Sequence, residues 1–217
     1  MPYGVTLLVW GERACFTRPE MKVERVSYDA LTPSAARGVL EAIYWKPEIR
    51  WEVDAITVIN PIRFESVRRN ELGHKLPVTS ITAAMRDKTK TVETYIEDDR
   101  QPRATLLLRD VRYRVEAHFT FTEKAQERNA GKHLDIFNRR LRDGACFHRP
   151  YLGCREFPAF FAPDDASIQP DASLAGTRDL GWMLHDLDYS RDLEPRFFRA
   201  TMVHGRITVP AFEEAVA

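Results

Sequence analysis

A chain of 217 residues with 44% hydrophobic and 29% charged side chains has the apolar material for a packed core and too much of it for a disordered segment. No run approaches the roughly 18 uninterrupted apolar residues of a membrane helix, and Met1-Pro2-Tyr3-Gly4 puts no basic segment ahead of the short apolar run Val5-Thr6-Leu7-Leu8-Val9-Trp10, so the reading is a cytoplasmic protein with no membrane partner. A net charge of zero hides an asymmetry: residues 1–150 hold 26 Lys and Arg against 21 Asp and Glu, and residues 151–217 hold 6 against 11, so a polyanion would meet the first part.

In chain order, Val5 to Trp10 suits a buried strand. Thr32-Pro33-Ser34 then supplies an N-cap with proline at the first helical position, and Ala36, Val39, Leu40 and Ile43 follow at helical spacing. This predicts a first helix from about Pro33 to Tyr44, which Pro47 keeps from continuing. From Trp51 to Ile59 strand formers alternate, and the shift of the apolar positions from Trp51, Val53 and Ala55 to Ile56 and Val58 predicts a bulge. The polar, basic stretch from about Phe64 to Arg109 reads as an inserted hairpin or arm.

The clearest strand runs from Val111 to Phe121. Val111, Tyr113, Val115, Ala117, Phe119 and Phe121 face one way, while Arg112, Arg114, Glu116, His118 and Thr120 form a wet, basic face. Thr122 is read as the cap of a second helix with Ala130, Leu134, Phe137 and Leu141 as its buried stripe, which leaves Arg139, Arg140 and Arg142 mostly off it. Phe157 to Phe161 suits a further strand, and after Ala162 an acidic, loop-like stretch leads to short strands near Gly181–Tyr189 and Phe197–Val209. The order predicts an α+β fold: a ferredoxin-like or RRM-like domain over residues 1–162 with the insertion at about 64–109, then a small C-terminal β lobe over 163–217. Such sheets present an open face to RNA.

From Arg68 to Arg149 there are 18 basic against 12 acidic residues, many of the basic ones arginines that grip phosphate with two donors, although a solvated surface gives the same count. No phosphate-loop or H-E-x-x-H motif is present. Cys146-Phe147-His148 with Cys154 lacks the paired C-x-x-C of a zinc site and is read as loop cysteines, with all three thiols, Cys15 included, reduced; no metal or cofactor is expected. His118 has cationic neighbours on its face and is the residue type suited to proton transfer near neutral pH, yet a strand histidine is as readily structural. Tyr44 is equally open: one turn beyond Leu40, it reads as a helix-end core residue with a wet hydroxyl.

The run Ala14-Cys15-Phe16-Thr17-Arg18-Pro19-Glu20-Met21-Lys22-Val23-Glu24-Arg25-Val26-Ser27-Tyr28-Asp29, followed by Thr32-Pro33-Ser34-Ala35-Ala36-Arg37-Gly38, resembles the CRISPR-associated Cas5 family of type I-C systems, subtype d or Dvulg. Glu41-Ala42-Ile43-Tyr44-Trp45-Lys46-Pro47, Arg68-Arg69-Asn70-Glu71, Arg109-Asp110-Val111, Glu116-Ala117-His118-Phe119 and Pro150-Tyr151-Leu152-Gly153-Cys154-Arg155-Glu156-Phe157 match as well, so the resemblance spans most of the chain up to about Phe161.

The resemblance implies a metal-independent endoribonuclease that cleaves CRISPR precursor RNA in its repeat. It also implies that the protein stays on the 5′ handle of the mature crRNA with the other subunits of the type I-C interference complex. It further implies a tyrosine, a lysine and a histidine at the catalytic centre, which Tyr44 and His118 match. The family's lysine directly precedes the histidine, where this chain has Ala117; on a strand that position faces away from His118, so Lys46, then Lys22, then Lys124 are the candidates for the cation. The expected RNA-binding set is Lys22, Arg25, Arg37, Arg68, Arg69, Arg112, Arg114, Lys124, Arg139 and Arg140. Two alternatives stand beside catalysis: a structural subunit that binds the crRNA handle without cutting, and nonspecific binding of duplex DNA through the basic arm.

Overall fold

The computed structural model describes residues 4–216; Met1–Tyr3, part of the opening segment read above as lacking a basic leader, and Ala217 lie outside the described residues. β1 is Val5–Ala14, longer than the apolar run alone predicts. α1, Pro33–Ile43, begins at the predicted cap: the Ala35 N–H donates to Thr32 Oγ1 at 3.3 Å, and Tyr44 closes the helix as its C-cap. β2, Ile49–Val58, carries the predicted bulge, since its register against β4 shifts between Val53 and Ala55. Asp54 falls at that shift, on the same sheet face as Glu52.

The inserted arm is more than a hairpin. β3, Phe64–Leu72, is followed by α2, Val78–Arg86, and the chain returns as β4, a single strand from Arg100 to Phe121. Its first part pairs with β3, from Leu72↔Arg100 to Phe64↔Leu108, and its second part lies between β1 and β2. The two parts meet at Asp110, whose φ of 51° bends the strand, and Asn60 Nδ2 donates to the Asp110 carbonyl at 2.8 Å. Helix α2 lies within the stretch read as an inserted hairpin or arm, and no side chain caps it. Its apolar face stays open, with Val78 and Met85 largely exposed.

α3 is Ala130–Asp143, starting later than predicted. Asn129 is its cap, accepting from the Lys132 N–H at 3.1 Å, whereas the Thr122 hydroxyl donates to the Pro47 carbonyl at 2.6 Å and ties residues 122–129 down as a connection. The next strand, β5, is also displaced, to Phe160–Pro163, with Phe157 buried in the loop before it. β6 is Thr177–Asp188, β7 Glu194–Val203 and β8 Arg206–Thr208, so the second predicted C-terminal strand is a hairpin. His204 and Gly205, both at positive φ, make its two-residue turn.

Among the described residues eight strands join in one sheet, ordered β5-β1-β4-β2-β8-β7-β6 with β3 on β4, and the strand pairs are antiparallel. The segment β5-β1-β4-β2, with α1 and α3 on one face, is the split βαβ arrangement of a ferredoxin-like fold. The C-terminal strands continue this sheet: β8 pairs with β2 from Ala55 to Thr57, and β6 packs against α1, where Arg37 grips Asp186 with two donors at 2.7 and 3.0 Å. The core under α1 and α3 is centred on Trp51, whose ring contacts Phe137 and Phe119 at centroid distances of 4.9 and 5.4 Å.

Gly153 fixes the loop between α3 and β5 against β1. Its φ is +83°, and a Cβ there would lie 1.9 Å from the Cys15 carbonyl oxygen, while the Cys15 N–H donates to the Leu152 carbonyl. Gly153→Ala is expected to destabilise the fold by about 3 kcal/mol or more, combining left-handed strain with a backbone clash that no rotamer relieves. Urea unfolding checks this; a midpoint equal to the parent's contradicts it.

Candidate active site

His118 lies on the sheet face away from α1 and α3. Alternation along β4 turns Ala117 into the core opposite Val53 and sets His118 opposite Glu52. The imidazole sits between two carboxylates: Nδ1 is 2.8 Å from Asp54 Oδ1, and Nε2 is 3.5 Å from Glu52 Oε2, a contact that attracts only once the ring is protonated. A carboxylate only accepts, so Nδ1 carries the hydrogen and, in the neutral ring, Nε2 keeps the lone pair. Glu52 is in turn held by the Thr120 hydroxyl at 2.8 Å.

The side chain of His118 keeps 20% of its surface and opens into a cavity of about 210 Å³ lined by Arg50, Glu52, Asp54, His185 and Phe212, with Arg37 of α1 at its far side. This cavity follows the part of β2 that β8 leaves unpaired, because β8 covers only Ala55–Thr57.

Tyr44 is on the opposite face. Its ring is buried, and its hydroxyl is 2.9 Å from Nδ1 of His133 on α3, a residue the sequence reading passed over. His133 packs edge-on against Phe119 and Phe121, the Arg140 guanidinium lies 5.4 Å from the Tyr44 ring centroid, and Trp51 Nε1 donates to the Tyr44 carbonyl at 2.8 Å. The structure therefore does not pair Tyr44 with His118; each has a separate partner across the sheet.

Burial pushes the Tyr44 hydroxyl above the ordinary tyrosine range. Burial likewise holds His133 below the ordinary histidine range, with Lys132 and Lys46 adding to that effect and Glu48 and Glu127 opposing it. The hydrogen bond thus joins two neutral groups at neutral pH. Because the folded chain resists protonating His133 and the unfolded chain does not, stability is fully present above the unfolded value of about 6.5 and is lost as pH falls below it. His133→Gln is expected to flatten this part of the curve, seen as a smaller drop in Tm between about pH 7.5 and pH 5 than in the parent; an identical drop contradicts it.

Lys46 is exposed two residues beyond Tyr44, and its charge reaches His133; Lys22 and Lys124 are exposed in loops. The expected RNA-binding arginines divide by their partners. Arg37 and Arg114 are tied internally. Arg37 holds Asp186 and Glu41, and Arg114, with 14% of its side chain exposed, donates to Asp164 Oδ1 and to the Asp165 and Ile168 carbonyls. Their bonds brace the fold, so neither presents a free guanidinium to phosphate. Arg25 and Arg69 share Glu156, Arg140 donates to the Ile43 carbonyl at 2.7 Å, and Arg112 lies over Trp10. Lys22, Arg68, Lys124 and Arg139 are exposed and form no ion pair among the described residues.

Of the side chains that hold His118 and Tyr44, Asp54 falls at the bulge that was read, and His133 lies four residues before Phe137 on the α3 stripe.

Residues 4–210 match the family model described as CRISPR-associated protein (Cas_Cas5), of the Cas5d type. A protein of Mannheimia succiniciproducens named CRISPR pre-crRNA endoribonuclease Cas5d is 54% identical over 218 residues, covering 98% of this chain and 97% of that one. A Thermus thermophilus protein of the same name is 42% identical over 222 residues, covering 94% and 90%. Among solved structures, a crystal structure of a CRISPR-associated protein superposes with a TM-score of 0.71 at 26% identity, covering 99% of this chain and 95% of that one.

Proposed function

Because the chain belongs to the Cas5d type of the CRISPR-associated Cas5 family, we infer that it is an endoribonuclease that cuts CRISPR precursor RNA within the repeat and stays on the 5′ handle of the product as a subunit of the type I-C interference complex. The observation that supports a cutting role is His118, fixed by Asp54 at the edge of a solvent-reachable cavity. We assign cleavage to residues 1–162 and a bracing role to 163–217.

The reaction is attack by the substrate's own 2′-hydroxyl. A base takes the hydroxyl proton, the oxygen bonds to the adjacent phosphorus in line, and the bond to the 5′ oxygen breaks as that oxygen takes a proton from water, leaving a 2′,3′-cyclic phosphate and a 5′-hydroxyl. The nucleophile belongs to the RNA, so the step needs no metal-bound water. His118 is the proton-transfer group; Asp54 fixes its tautomer and stabilises the imidazolium once Nε2 has taken the proton. Lys46 is the cation assigned to the charge on the phosphorane-like transition state; Tyr44, buried across the sheet with its hydroxyl on His133, supports the site indirectly by fixing the end of α1 beside Lys46.

The separation of Tyr44 from His118 and the alanine at position 117 favour one second reading, a subunit that holds the crRNA handle without cutting. Incubation of the protein with its repeat RNA in excess EDTA, followed by end-group analysis, separates the two. Discrete products ending in a 2′,3′-cyclic phosphate support the enzyme, and RNA that is bound but intact supports the scaffold.

A further inference from the structure

We propose that the sheet face away from the helices carries a base-stacking site for single-stranded RNA, built from Trp10 on β1 and Phe160 on β5 between the guanidinium groups of Arg112 and Arg149. The proposal rests on the RNA-processing reading and adds to it the place where an unpaired nucleobase is held. Three strands put these side chains in one row: Trp10 is the register partner of Arg112 on β4 and of Phe160 on β5. Their common face is set by alternation, since the adjoining Val9 and Phe161 turn into the core.

The geometry is that of a stacking platform. The Trp10 and Phe160 rings are stacked, 6.0 Å apart with 23° between their planes. The Arg112 guanidinium lies 5.9 Å from the Trp10 ring and that of Arg149 lies 4.9 Å from the Phe160 ring, so the aromatic pair has a cation at each end. Phe160 remains 45% exposed. An exposed aromatic ring capped by an arginine suits a ligand with flat π faces on an anionic backbone: a base stacks on Phe160 by taking the place of the Arg149 guanidinium, which moves to the neighbouring phosphate.

The row is separate from the cleavage site. Arg114, between Arg112 and His118 on the same face of β4, is tied to Asp164 and to the Asp165 and Ile168 carbonyls, so the chain after β5 crosses the sheet there. Leu8, opposite Arg114 on that face, is buried. At about 3.4 Å per residue, Arg112 stands roughly 20 Å along the strand from His118. The site therefore holds RNA at a distance from the scissile bond.

The test is filter binding of the repeat RNA made uncleavable by a 2′-deoxy substitution at the scissile position, with Phe160→Ala, Trp10→Ala and Trp10→Phe, all checked for parental Tm. Phe160→Ala and Trp10→Ala are expected to weaken binding about 5- to 150-fold with little change in its salt dependence, whereas Trp10→Phe, which keeps a ring, stays near the parent. If Trp10→Ala fails to fold, Phe160→Ala and Trp10→Phe still decide the matter. Parental affinity in the folded alanine variants overturns the proposal, and so does parental affinity combined with failure to assemble with other protein subunits, which would make the row a protein contact. A parent protein that does not bind the RNA at all overturns instead the RNA-processing reading on which the site rests.

Discussion

His118→Ala is expected to slow repeat cleavage by about 10²- to 10⁴-fold, the range for removing a positioned acid or base, while leaving RNA affinity nearly unchanged. The imidazole contributes one ring to a surface whose exposed cations, Arg68, Lys124 and Arg139 among them, lie elsewhere, so its loss acts on the chemical step and not on the phosphate contacts. Single-turnover rates at saturating protein, with the dissociation constant measured separately, make this check. Asp54→Asn should fall between the parent and His118→Ala: an amide oxygen still accepts from Nδ1, but the charge that stabilises the imidazolium is gone. Equal losses of rate and affinity in His118→Ala would make His118 a binding residue.

Tyr44→Phe is expected to cost about 1–3 kcal/mol of stability, because it leaves Nδ1 of the buried His133 without its partner, and to slow cleavage only as far as the end of α1 and Lys46 shift with it, well short of the loss in His118→Ala. The two effects are separable. Replacing both partners, as Tyr44→Phe with His133→Leu, removes the unpaired group and is expected to recover most of the stability without recovering cleavage. Recovery of both would reduce the Tyr44–His133 pair to a packing element. Loss of stability with no change in rate would show that Tyr44 does not support the site.

The elements legible in the sequence were those whose periodicity or punctuation acts locally. Thr32-Pro33 marked the start of α1, the shifted apolar positions marked the β2 bulge, and strict alternation from Val111 to Phe121 gave the second half of β4 with its two faces. What the sequence hid depended on contacts made at long range. Thr122 looks like a helix cap until its hydroxyl is seen on the Pro47 carbonyl, and Arg37 and Arg114 look like phosphate ligands until Asp186 and Asp164 arrive from the far end of the chain. Helix α2 was missed because its face is uncovered, leaving no buried stripe to constrain the sequence.

The candidate site divides in the same way. Tyr44 and His118 can be named as candidates from the sequence, but their partners His133 and Asp54, and the sheet that separates them, follow from tertiary packing.

The most direct test of internal attack by the RNA is a repeat substrate with a single 2′-deoxy nucleotide at the scissile position. The mechanism predicts that this RNA is bound as tightly as the parent and is not cut at that bond, whereas cleavage there at the parental rate would show that the nucleophile comes from elsewhere and would contradict it.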